Sequence, residues 1–330
     1  MIRSASAVAH PNIALTKYWG KVEGVNRMPS VPSLSMTLDA MSTRTQVTFD
    51  DALEQDQIVL NDQVASEKEG RRASELLDRV RAAAGIASKA RVESANDFPT
   101  ASGLASSASG FAALVVAAAK AAGLDWNATR LSDQARRSSV SAARSIFGGF
   151  ATLSAGVSGL DVLSAEPIEG SIDWQVTIAV AVTTLKQKDV GSTEGMAHTS
   201  ATSPYYPAWV ANSPRLFERA RRAVLARDLE ALGVVAEESA FAMHASAMAA
   251  APALIYFNPV TLAAIDRVRQ LRKTGTQAYV TIDAGPHVKV LSRAADAPTV
   301  AAALREVAGV EKVLVAAPGG PAEAKMGSRP

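Results

Sequence analysis

A run rich in glycine and serine, followed directly by a long alanine-rich stretch, constrains this chain more than any other feature. Phe98–Gly110 reads FPTASGLASSASG, and Phe111–Ala122 continues without glycine or proline as far as Gly123. Alanine-rich sequence favours a helix, and glycine favours its end. A small-residue loop that enters a helix presents unpaired backbone N–H groups to an anion. The same residues also suit a helix start packed tightly on a sheet, and the chain lacks the common nucleotide motif G-x-x-x-x-G-K-[ST].

Composition and charge exclude several function classes. The 330 residues carry 34 Lys and Arg against 32 Asp and Glu, a net charge of +2, which argues against a dedicated nucleic-acid-binding protein. The chain has no cysteine and only four scattered histidines, so neither disulfides nor a zinc site is expected. The sequence shows neither a signal peptide nor an apolar run long enough to span a bilayer. We therefore expect a cytoplasmic protein that binds neither nucleic acid nor a membrane.

The periodicity of apolar residues predicts an α+β protein of two domains. The first half alternates like strands up to about residue 50, most clearly over Thr43–Phe49. Helical spacing follows, and we predict helices over 67–84, 103–122 and 128–146. In the first of these, Leu76, Leu77, Val80 and Ala83 are expected on one face.

The texture of the sequence changes near Trp174, and a second set of elements follows. Val176–Val182 is apolar throughout and predicts a buried strand. Ser213 and Pro214 fit an N-cap and a first helical residue. We predict helices over 213–226, 229–249 and 261–272, and strands over 278–283, 287–292 and 312–317. The domains are then 1–172 and 173–330, the second an antiparallel sheet with helices on one face, with a frayed end from Pro318 onward.

Two charged segments lie in the first domain. In Asn12–Lys21 (NIALTKYWGK), two lysines bracket two aromatic residues, which suits a small anionic ligand or, alternatively, a strand with core aromatics and solvated lysines. In Arg136–Arg144 (RRSSVSAAR), serine hydroxyls and a guanidinium could converge on a carboxylate or phosphate. The alternative for this segment is a serine-rich cap with solvated arginines.

A third segment, Val280–His287 (VTIDAGPH), delivers one carboxylate, Asp283, at the end of an apolar strand. A tight turn then follows at Ala284–Pro286. This is a sensible position for a general base. An aspartate also occurs there simply because it satisfies turn amides.

Together these segments resemble the diphosphomevalonate decarboxylases of the GHMP kinase superfamily. The likeness rests on five stretches in order: Asn12–Lys21, Asn96–Gly110, Ser139–Phe150, Ser192–Met196 and Asp283–Pro286. It implies an N-terminal domain like ribosomal protein S5 domain 2, a C-terminal ferredoxin-like α/β sandwich, and a site between them. It also implies a homodimer and the ATP-dependent decarboxylation of (R)-5-diphosphomevalonate to isopentenyl diphosphate, in which the 3-hydroxyl is phosphorylated before phosphate and carbon dioxide leave.

The resemblance implies a role for each matched residue. Asp283 orients or deprotonates the 3-hydroxyl, Lys17 keeps Asp283 ionised and offsets charge on the transferred phosphoryl group, and Arg144 grips the substrate carboxylate. The implied substrate contacts are Tyr18, Trp19, Gly20, Lys21, Arg72, Ser139, Val140, Ser141, Ala142, Ala143, Ser192 and Thr193. Arg72 is assigned from helix similarity, and Arg71 stands beside it. The implied ATP contacts are Asn96, Pro99, Ser102, Gly103, Leu104, Ala105, Ser106 and Ser107, with Mg²⁺ on the phosphates and on Ser106 or Ser107.

The chain departs from the family pattern at four positions. Ser138 and Val140 stand where glycine is usual, Leu153 where an aromatic is usual, and His287 in place of asparagine. Two related activities stay open, a decarboxylase of the 5-monophosphate and a mevalonate 3-kinase. Their substrates differ by about one to two charges, which one or two arginines could decide. A non-catalytic protein that binds nucleotide or another anion is the alternative of a different class.

Overall fold

The structure, a computed structural model, describes residues 3–22, 27–98, 106–157, 159–186 and 188–326, with Lys325 and Met326 described by their backbone alone. The strands are β1 (Arg3–Ala9), β2 (Asn12–Thr16), β3 (Ser33–Thr37), β4 (Thr43–Asp50), β5 (Gln57–Leu60), β6 (Gln63–Val64), β7 (Lys89–Asn96), β8 (Phe150–Leu153), β9 (Glu166–Ile168), β10 (Val176–Val182), β11 (Ala278–Ile282), β12 (Val288–Arg293), β13 (Lys312–Ala316) and β14 (Glu323–Met326). The helices are α1 (Glu67–Ala84), α2 (Ser106–Ala121), α3 (Ala128–Ser138), α4 (Ser192–Thr202), α5 (Tyr206–Leu225), α6 (Leu229–Met248), α7 (Pro259–Lys273) and α8 (Ala297–Arg305).

A six-stranded sheet in the order β14-β1-β4-β7-β5-β6 forms the base of the first half. Helix α2 packs directly on β1 and β4, and most of its residues are buried, because its alanines let helix and strands approach closely. Helix α1 begins at a capping box of Ser66 and Glu69 and ends at Gly85, which has a left-handed conformation. The predicted helix 67–84 is confirmed, although Ala83 is exposed rather than on the buried face.

Two predicted helix boundaries are wrong. The helix predicted over 128–146 ends at Ser138, because Ser139 is extended (φ −152°), and a 3-10 helix over Val140–Ile146 follows. The helix predicted to begin at Ser213 begins at Tyr206 and contains Pro214. Trp209, Ser213, Leu216 and Ala220 form one buried stripe along it, and this continuous packing outweighs the backbone hydrogen bond that the proline lacks.

In the second half, an antiparallel sheet in the order β11-β12-β10-β13 has helices on both faces. Helices α7 and α8 cover one face, where Ala179, Val280 and Val290 are buried. Helices α5 and α6 lie against the other. The prediction of helices on one face is therefore wrong. Strand β10 is buried at all seven positions, as expected of a strand covered on both sides.

The two halves share one hydrophobic core. A small sheet, β2-β3-β8-β9, contributes Ile13 and Leu34 to the cluster that contains Leu216 of α5 and Leu291 of β12. The face of the second sheet that carries Leu291 is thereby turned toward strand β2.

The end of the chain returns to the first sheet. Strand β14 pairs antiparallel with β1, and Gly319 packs so closely on β3 that a Cβ there would lie 2.5 Å from the Leu38 carbonyl oxygen. The prediction of a frayed end is wrong as far as Met326, because these backbone groups are paired in a sheet. Within the described residues, no helix is long and apolar enough to cross a membrane.

Candidate active site

The structure brings Lys17 and Asp283 into direct contact across 266 positions of sequence. Lys17 Nζ donates to Asp283 Oδ1 at 2.6 Å and to the Ala14 carbonyl at 2.7 Å. The lysine side chain is 2% exposed, whereas the aspartate side chain is 27% exposed. The Lys17 amine is therefore enclosed by protein, whereas the Asp283 carboxylate is accessible to a ligand.

Strand geometry accounts for this contact. Alternation along β11 puts Tyr279 in the core between the two halves, so Thr281 and Asp283 face the same way. The Thr281 hydroxyl donates to the carbonyl of Ala14 on β2 at 3.3 Å, which joins the two strands just before their charged residues. The Gly285 amide then donates to the Asp283 carbonyl at 2.7 Å and closes the turn.

The charges of this pair shift both pKa values. Burial alone would raise the pKa of Asp283, but the charges of Lys17 and Lys289, together with the hydrogen bond from Lys17, outweigh it and hold that pKa well below its usual range. Burial lowers the pKa of Lys17 from 10.5 to about 8, even though Asp283 opposes this shift. Asp283 is thus a weak base and a permanently ionised acceptor near neutral pH.

Two further lysines lie beside Asp283, and neither was predicted from the sequence. Lys289 on β12 is fully buried, with Nζ 3.2 Å from Asp283 Oδ2. Lys188 donates to the Ala284 carbonyl at 2.7 Å and lies 6.0 Å from the centre of the Tyr256 ring. A lysine inside the apolar strand Val288–Ser292 was a usable signal, since lysine is almost never fully buried without a partner.

Arg144 lies in the same region and is 1% exposed. Its Nε donates to Ser35 Oγ at 2.9 Å and its Nη1 to Ser33 Oγ at 2.7 Å, both on β3. Burial lowers its pKa to about 10, against the charges of Tyr18 and Asp283. These neutral hydroxyls fix the guanidinium without cancelling its charge, so it stays available to an anion.

A second group of cations lies around Tyr18. Burial lowers the pKa of Lys21, and the charges of Arg27 and Arg72 lower it further. Arg72 Nη2 donates to the Ser138 carbonyl at 2.7 Å, and Arg27 Nη1 donates to the same oxygen. The Tyr18 hydroxyl is buried and makes no hydrogen bond to any residue that the structure describes. This group, Tyr18, Lys21, Arg27 and Arg72, is called the cationic cluster below.

The structure separates Arg72 from Arg71, which the sequence could not. Arg71 is 66% exposed and pairs with Glu67 one helical turn away. Arg27 was missed by the sequence analysis, because it follows residues with no recognisable pattern. It joins the cluster through the chain turn that precedes β3.

The segment Ser139–Ala143 lies beside this cluster and mostly turns its side chains inward. Ser139 Oγ and Ser141 Oγ lie 3.2 Å apart. Val140, Ala142 and Ala143 are buried, so these three can reach a ligand only through backbone atoms.

The departures from the family pattern fit their surroundings. Val140 and Leu153 are buried in the same small hydrophobic cluster. Val140 is larger than the usual glycine and Leu153 is smaller than the usual aromatic residue, so the two changes in volume offset each other. The Ser138 hydroxyl accepts from Arg79 Nη2 at 2.8 Å. His287 Nδ1 accepts from the Thr183 amide at 3.2 Å.

Trp19 and Gly20 pack closely against tyrosines of the second half. The Trp19 ring is 1% exposed and packs edge-on against Tyr256 at 6.1 Å, as in the alternative of a core aromatic. Gly20 has φ +119°, and a Cβ there would lie 1.9 Å from Tyr206 Oη. The Trp19 ring therefore lies mostly in the interior, and the substrate contacts predicted for Trp19 and Gly20 stay predictions.

Ser192 and Thr193 form the exposed first turn of α4. The helix approaches Trp19 through Gly195, where a Cβ would lie 3.0 Å from Trp19 Cη2 and 2.4 Å from Tyr256 Oη. This close packing places the start of α4 near the Tyr18–Lys21 segment.

A cavity of about 140 Å³ lies beside the start of α2, lined among others by Asn96, Ser106, Ser107, Phe111 and Arg72. Arg72 stacks over the Phe111 ring at 4.6 Å, so this member of the cationic cluster also lines the cavity. The other predicted ATP contacts, Pro99, Ser102, Gly103, Leu104 and Ala105, lie outside the described residues.

Comparisons with known proteins match both halves of the chain to one family. The family model described as a diphosphomevalonate decarboxylase-like N-terminal domain matches residues 9–164. That of a mevalonate 5-diphosphate decarboxylase C-terminal domain matches residues 178–324. The chain is 34% identical over 305 residues to the diphosphomevalonate decarboxylase of Candida albicans, covering 87% of this chain and 83% of that protein.

Two more relatives bear on the substrate. The phosphomevalonate decarboxylase of Haloferax volcanii is 33% identical over 288 residues, with 87% of each chain covered. Among solved structures, MDDEF in complex with MVAPP, AMPPCP and magnesium has a TM-score of 0.92 at 39% identity, covering 99% of this chain and 100% of that one. The predicted two-domain α+β fold of the GHMP kinase type is confirmed.

Proposed function

The chain belongs to the diphosphomevalonate decarboxylase family, and on that basis we propose that it converts (R)-5-diphosphomevalonate and ATP to isopentenyl diphosphate, ADP, phosphate and carbon dioxide. The observation that supports this most is the Lys17–Asp283 pair, sealed behind the amine and open at the carboxylate. Arg144 and the cationic cluster provide separate places for the two anionic ends of such a substrate.

Asp283 orients the 3-hydroxyl in this proposal more than it deprotonates it. A carboxylate held ionised by two lysines is too weak a base to remove the proton of an alcohol beforehand. Phosphoryl transfer passes through a loose transition state, in which the attacking oxygen needs little charge at the outset. An aligned acceptor that receives the proton late is then sufficient, and Lys17 offsets negative charge on the group being transferred.

Arg144 holds the substrate carboxylate until it leaves as carbon dioxide. Phosphorylation turns the tertiary hydroxyl into a leaving group. As phosphate departs, the electrons of the bond to the carboxylate carbon form the new double bond. A guanidinium fixed by Ser33 and Ser35 keeps that carboxylate in one orientation, which contributes by positioning.

The cationic cluster, with the hydroxyls of Ser139 and Ser141 and the first turn of α4, would bind the 5-diphosphate. The Tyr18 hydroxyl is buried and has no hydrogen-bond partner among the described residues, so it offers a donor to one of the diphosphate oxygens. Three cations so close together repel one another, and a ligand with several negative charges relieves that repulsion. This favours the diphosphate over the monophosphate named for the Haloferax relative.

ATP would lie at the start of α2, with its nucleoside in the cavity beside Asn96 and its phosphates at Ser106 and Ser107. Their hydroxyl oxygens are hard donors of the kind Mg²⁺ accepts. When bound, Mg²⁺ neutralises charge on the phosphates. A homodimer, a cytoplasmic location and a domain boundary near residue 172 remain predictions of this proposal.

The test is ATP-dependent release of carbon dioxide from mevalonate carrying zero, one or two phosphates. We expect the highest kcat/KM with the diphosphate, and equal amounts of ADP and carbon dioxide. Preference for the monophosphate would make the chain a phosphomevalonate decarboxylase, and ADP without carbon dioxide would make it a 3-kinase. Nucleotide binding without any turnover would support the non-catalytic alternative.

A further inference from the structure

Lys289 is the one lysine of the second sheet buried in its interior among the residues that the structure describes, with 0% exposure. It occupies the middle strand β12, opposite Thr281 of β11 and Val180 of β10. Side chains that share this face, such as Leu291 and Tyr279, belong to the core between the two halves. Its charge is therefore directed at the interior, toward strand β2.

The only ion-pair partner of Lys289 in the described part of the chain is Asp283 Oδ2, at 3.2 Å. Its Nζ makes no hydrogen bond to another described residue. A buried ammonium is costly unless it is paired. Two residues further along the same face of the strand, the apolar Leu291 is buried. A methionine or leucine would serve packing better here, so packing does not explain the lysine.

Lys17 and Lys289 divide the carboxylate between them. Lys17 bonds Oδ1 and also a backbone carbonyl, whereas Lys289 reaches Oδ2. With one lysine, the carboxylate could rotate about its bond to Cβ and present either oxygen to the substrate. With both, each oxygen has a fixed direction, and the 27% of the side chain that is exposed always presents the same lone pairs.

We propose that Lys289 is a positioning residue for this reaction, which fixes the Asp283 carboxylate against rotation and keeps it ionised while the substrate hydroxyl is bound. The proposal rests on the function proposed above. Lys289 does not touch the substrate, since it is sealed in the sheet, and acts through Asp283.

Other charged groups around Asp283 cannot replace this effect. Lys17, Lys188, Arg144 and His244 all interact with its charge. Burial lowers the pKa of His244 to about 3, so it stays neutral during turnover. Lys188 donates to a backbone carbonyl, and Arg144 is fixed by serines. None of these contacts Oδ2.

The test compares Lys289→Met with Lys312→Met, an exposed lysine on β13 of the same sheet. We expect Lys289→Met to lower kcat about 10- to 100-fold, as for a misaligned catalytic group, with KM for both substrates within about twofold of the unchanged protein. The acid limb of the kcat–pH profile should move up by about one pH unit or more, because a neighbouring cation lowers a carboxyl pKa by that amount. The control should change neither quantity.

Lys289→Gln is the second variant, because it is neutral but still polar, and it answers the question if the methionine variant does not fold. A folded neutral variant with unchanged kcat and an unchanged acid limb would overturn the proposal. A change confined to KM for the mevalonate substrate would also overturn it, since that result indicates direct substrate contact.

A double variant separates positioning through Asp283 from a general structural effect. Asp283→Asn should reduce kcat about 10²- to 10⁴-fold, and adding Lys289→Met should reduce it less than about twofold further, since the group that Lys289 serves is gone. If the kcat losses of the two single variants multiply in the double variant, the proposal is overturned. Unchanged turnover in Asp283→Asn alone would instead contradict the proposed function, so the two failures are distinguishable.

Discussion

At the scale of single residues, the site is dominated by an excess of positive charge. One carboxylate, Asp283, faces Lys17 and Lys289, with Lys188 and Arg144 within reach of its field. Burial lowers the pKa of both Lys17 and Lys188, because the protein supplies too few anions to support the charges. A substrate with a carboxylate and phosphates supplies the missing ones, which is why ligand charge and pH govern this site together.

Activity should fall on the alkaline side as Lys17 loses its proton. Its pKa of about 8 predicts that kcat/KM for the mevalonate substrate declines above pH 8, approaching tenfold per pH unit, because the neutral amine no longer offsets phosphoryl charge. Steady-state kinetics from pH 6 to 10 measure this. Lys17→Arg should move the limb upward, because arginine does not titrate there. A profile that stays flat to pH 10 would contradict the assignment.

The same titration affects stability in the opposite direction. Between pH 8 and 10.5, the unfolded chain keeps a proton on Lys17 that the folded chain has released. Stability rises with pH wherever the unfolded state binds more protons. The contribution of Lys17 to the free energy of unfolding therefore increases over the window in which activity declines, so loss of activity there is not loss of fold.

Arg72 and its neighbour Arg71 offer a matched pair of substitutions. Arg72 belongs to the cationic cluster and also lines the cavity, whereas Arg71 is 66% exposed. We expect Arg72→Met to raise KM for the diphosphate substrate about 10- to 100-fold, the effect of losing one charge-assisted hydrogen bond of about 1.5–3 kcal/mol. Arg71→Met should leave KM unchanged, and initial-rate kinetics distinguish the two. The reverse result would mean that Arg71, and not Arg72, contacts the substrate.

At the scale of elements, the site depends on helix starts and strand ends held in place by close packing. Helix α4 illustrates this, because Gly195 lets its first turn approach Trp19 and Tyr256. The sequence matched this stretch to the family but did not reveal why a glycine stands there. That reason is a contact between residues far apart in sequence, and local spacing carries no information about it.

Replacing glycine by alanine in α1 and in α4 should have opposite effects. In Gly195→Ala the new Cβ would lie 2.4 Å from Tyr256 Oη, and we expect a loss of about 1–3 kcal/mol in the free energy of unfolding with a higher KM for the mevalonate substrate. In Gly70→Ala the new Cβ meets no atom of the described residues within 4 Å, and the variant should gain about 0.5–1 kcal/mol. Urea unfolding measures both. Equal stabilities would mean that α4 is not packed as described.

Elements with strong local signals were predictable, and those set by distant packing were not. Capping residues and periodicity located Glu67–Ala84, and an apolar run located Val176–Val182. The start of α5 was missed because its buried stripe against the core outweighs Pro214. The break at Ser139 was missed because serine is only a weak helix breaker, and the segment follows its contacts with β3 and α2.

At the scale of the whole molecule, the catalytic pair depends on how the two halves meet. The resemblance pointed to Lys17, Arg144 and Asp283, and the structure brings Lys17 and Asp283 within 2.6 Å. Lys289 and Arg27 were not predicted, because the partners that define their roles, Asp283 and the Ser138 carbonyl, lie elsewhere in the fold. The core shared by Ile13, Leu216 and Leu291 is what fixes the halves at the required distance.

The last strand should contribute strongly to this assembly. Residues after Ala317 supply strand β14, two hydrogen bonds between Gly319 and the chain at Thr37 and Gly149, and one from Ala322 to Ile146, next to the segment that carries Arg144. At about 1 kcal/mol for each hydrogen bond, truncation after Ala317 should lower the free energy of unfolding by roughly 3–5 kcal/mol, out of a total of about 5–15 kcal/mol. Gly319→Ala should reproduce part of the loss, because its Cβ meets the Leu38 carbonyl. Gly320→Ala serves as the control, because its Cβ meets no atom of the described residues within 4 Å. Urea unfolding followed by both circular dichroism and tryptophan fluorescence measures these differences. A truncated chain as stable as the full one would show that the terminal strand is not part of the cooperative fold.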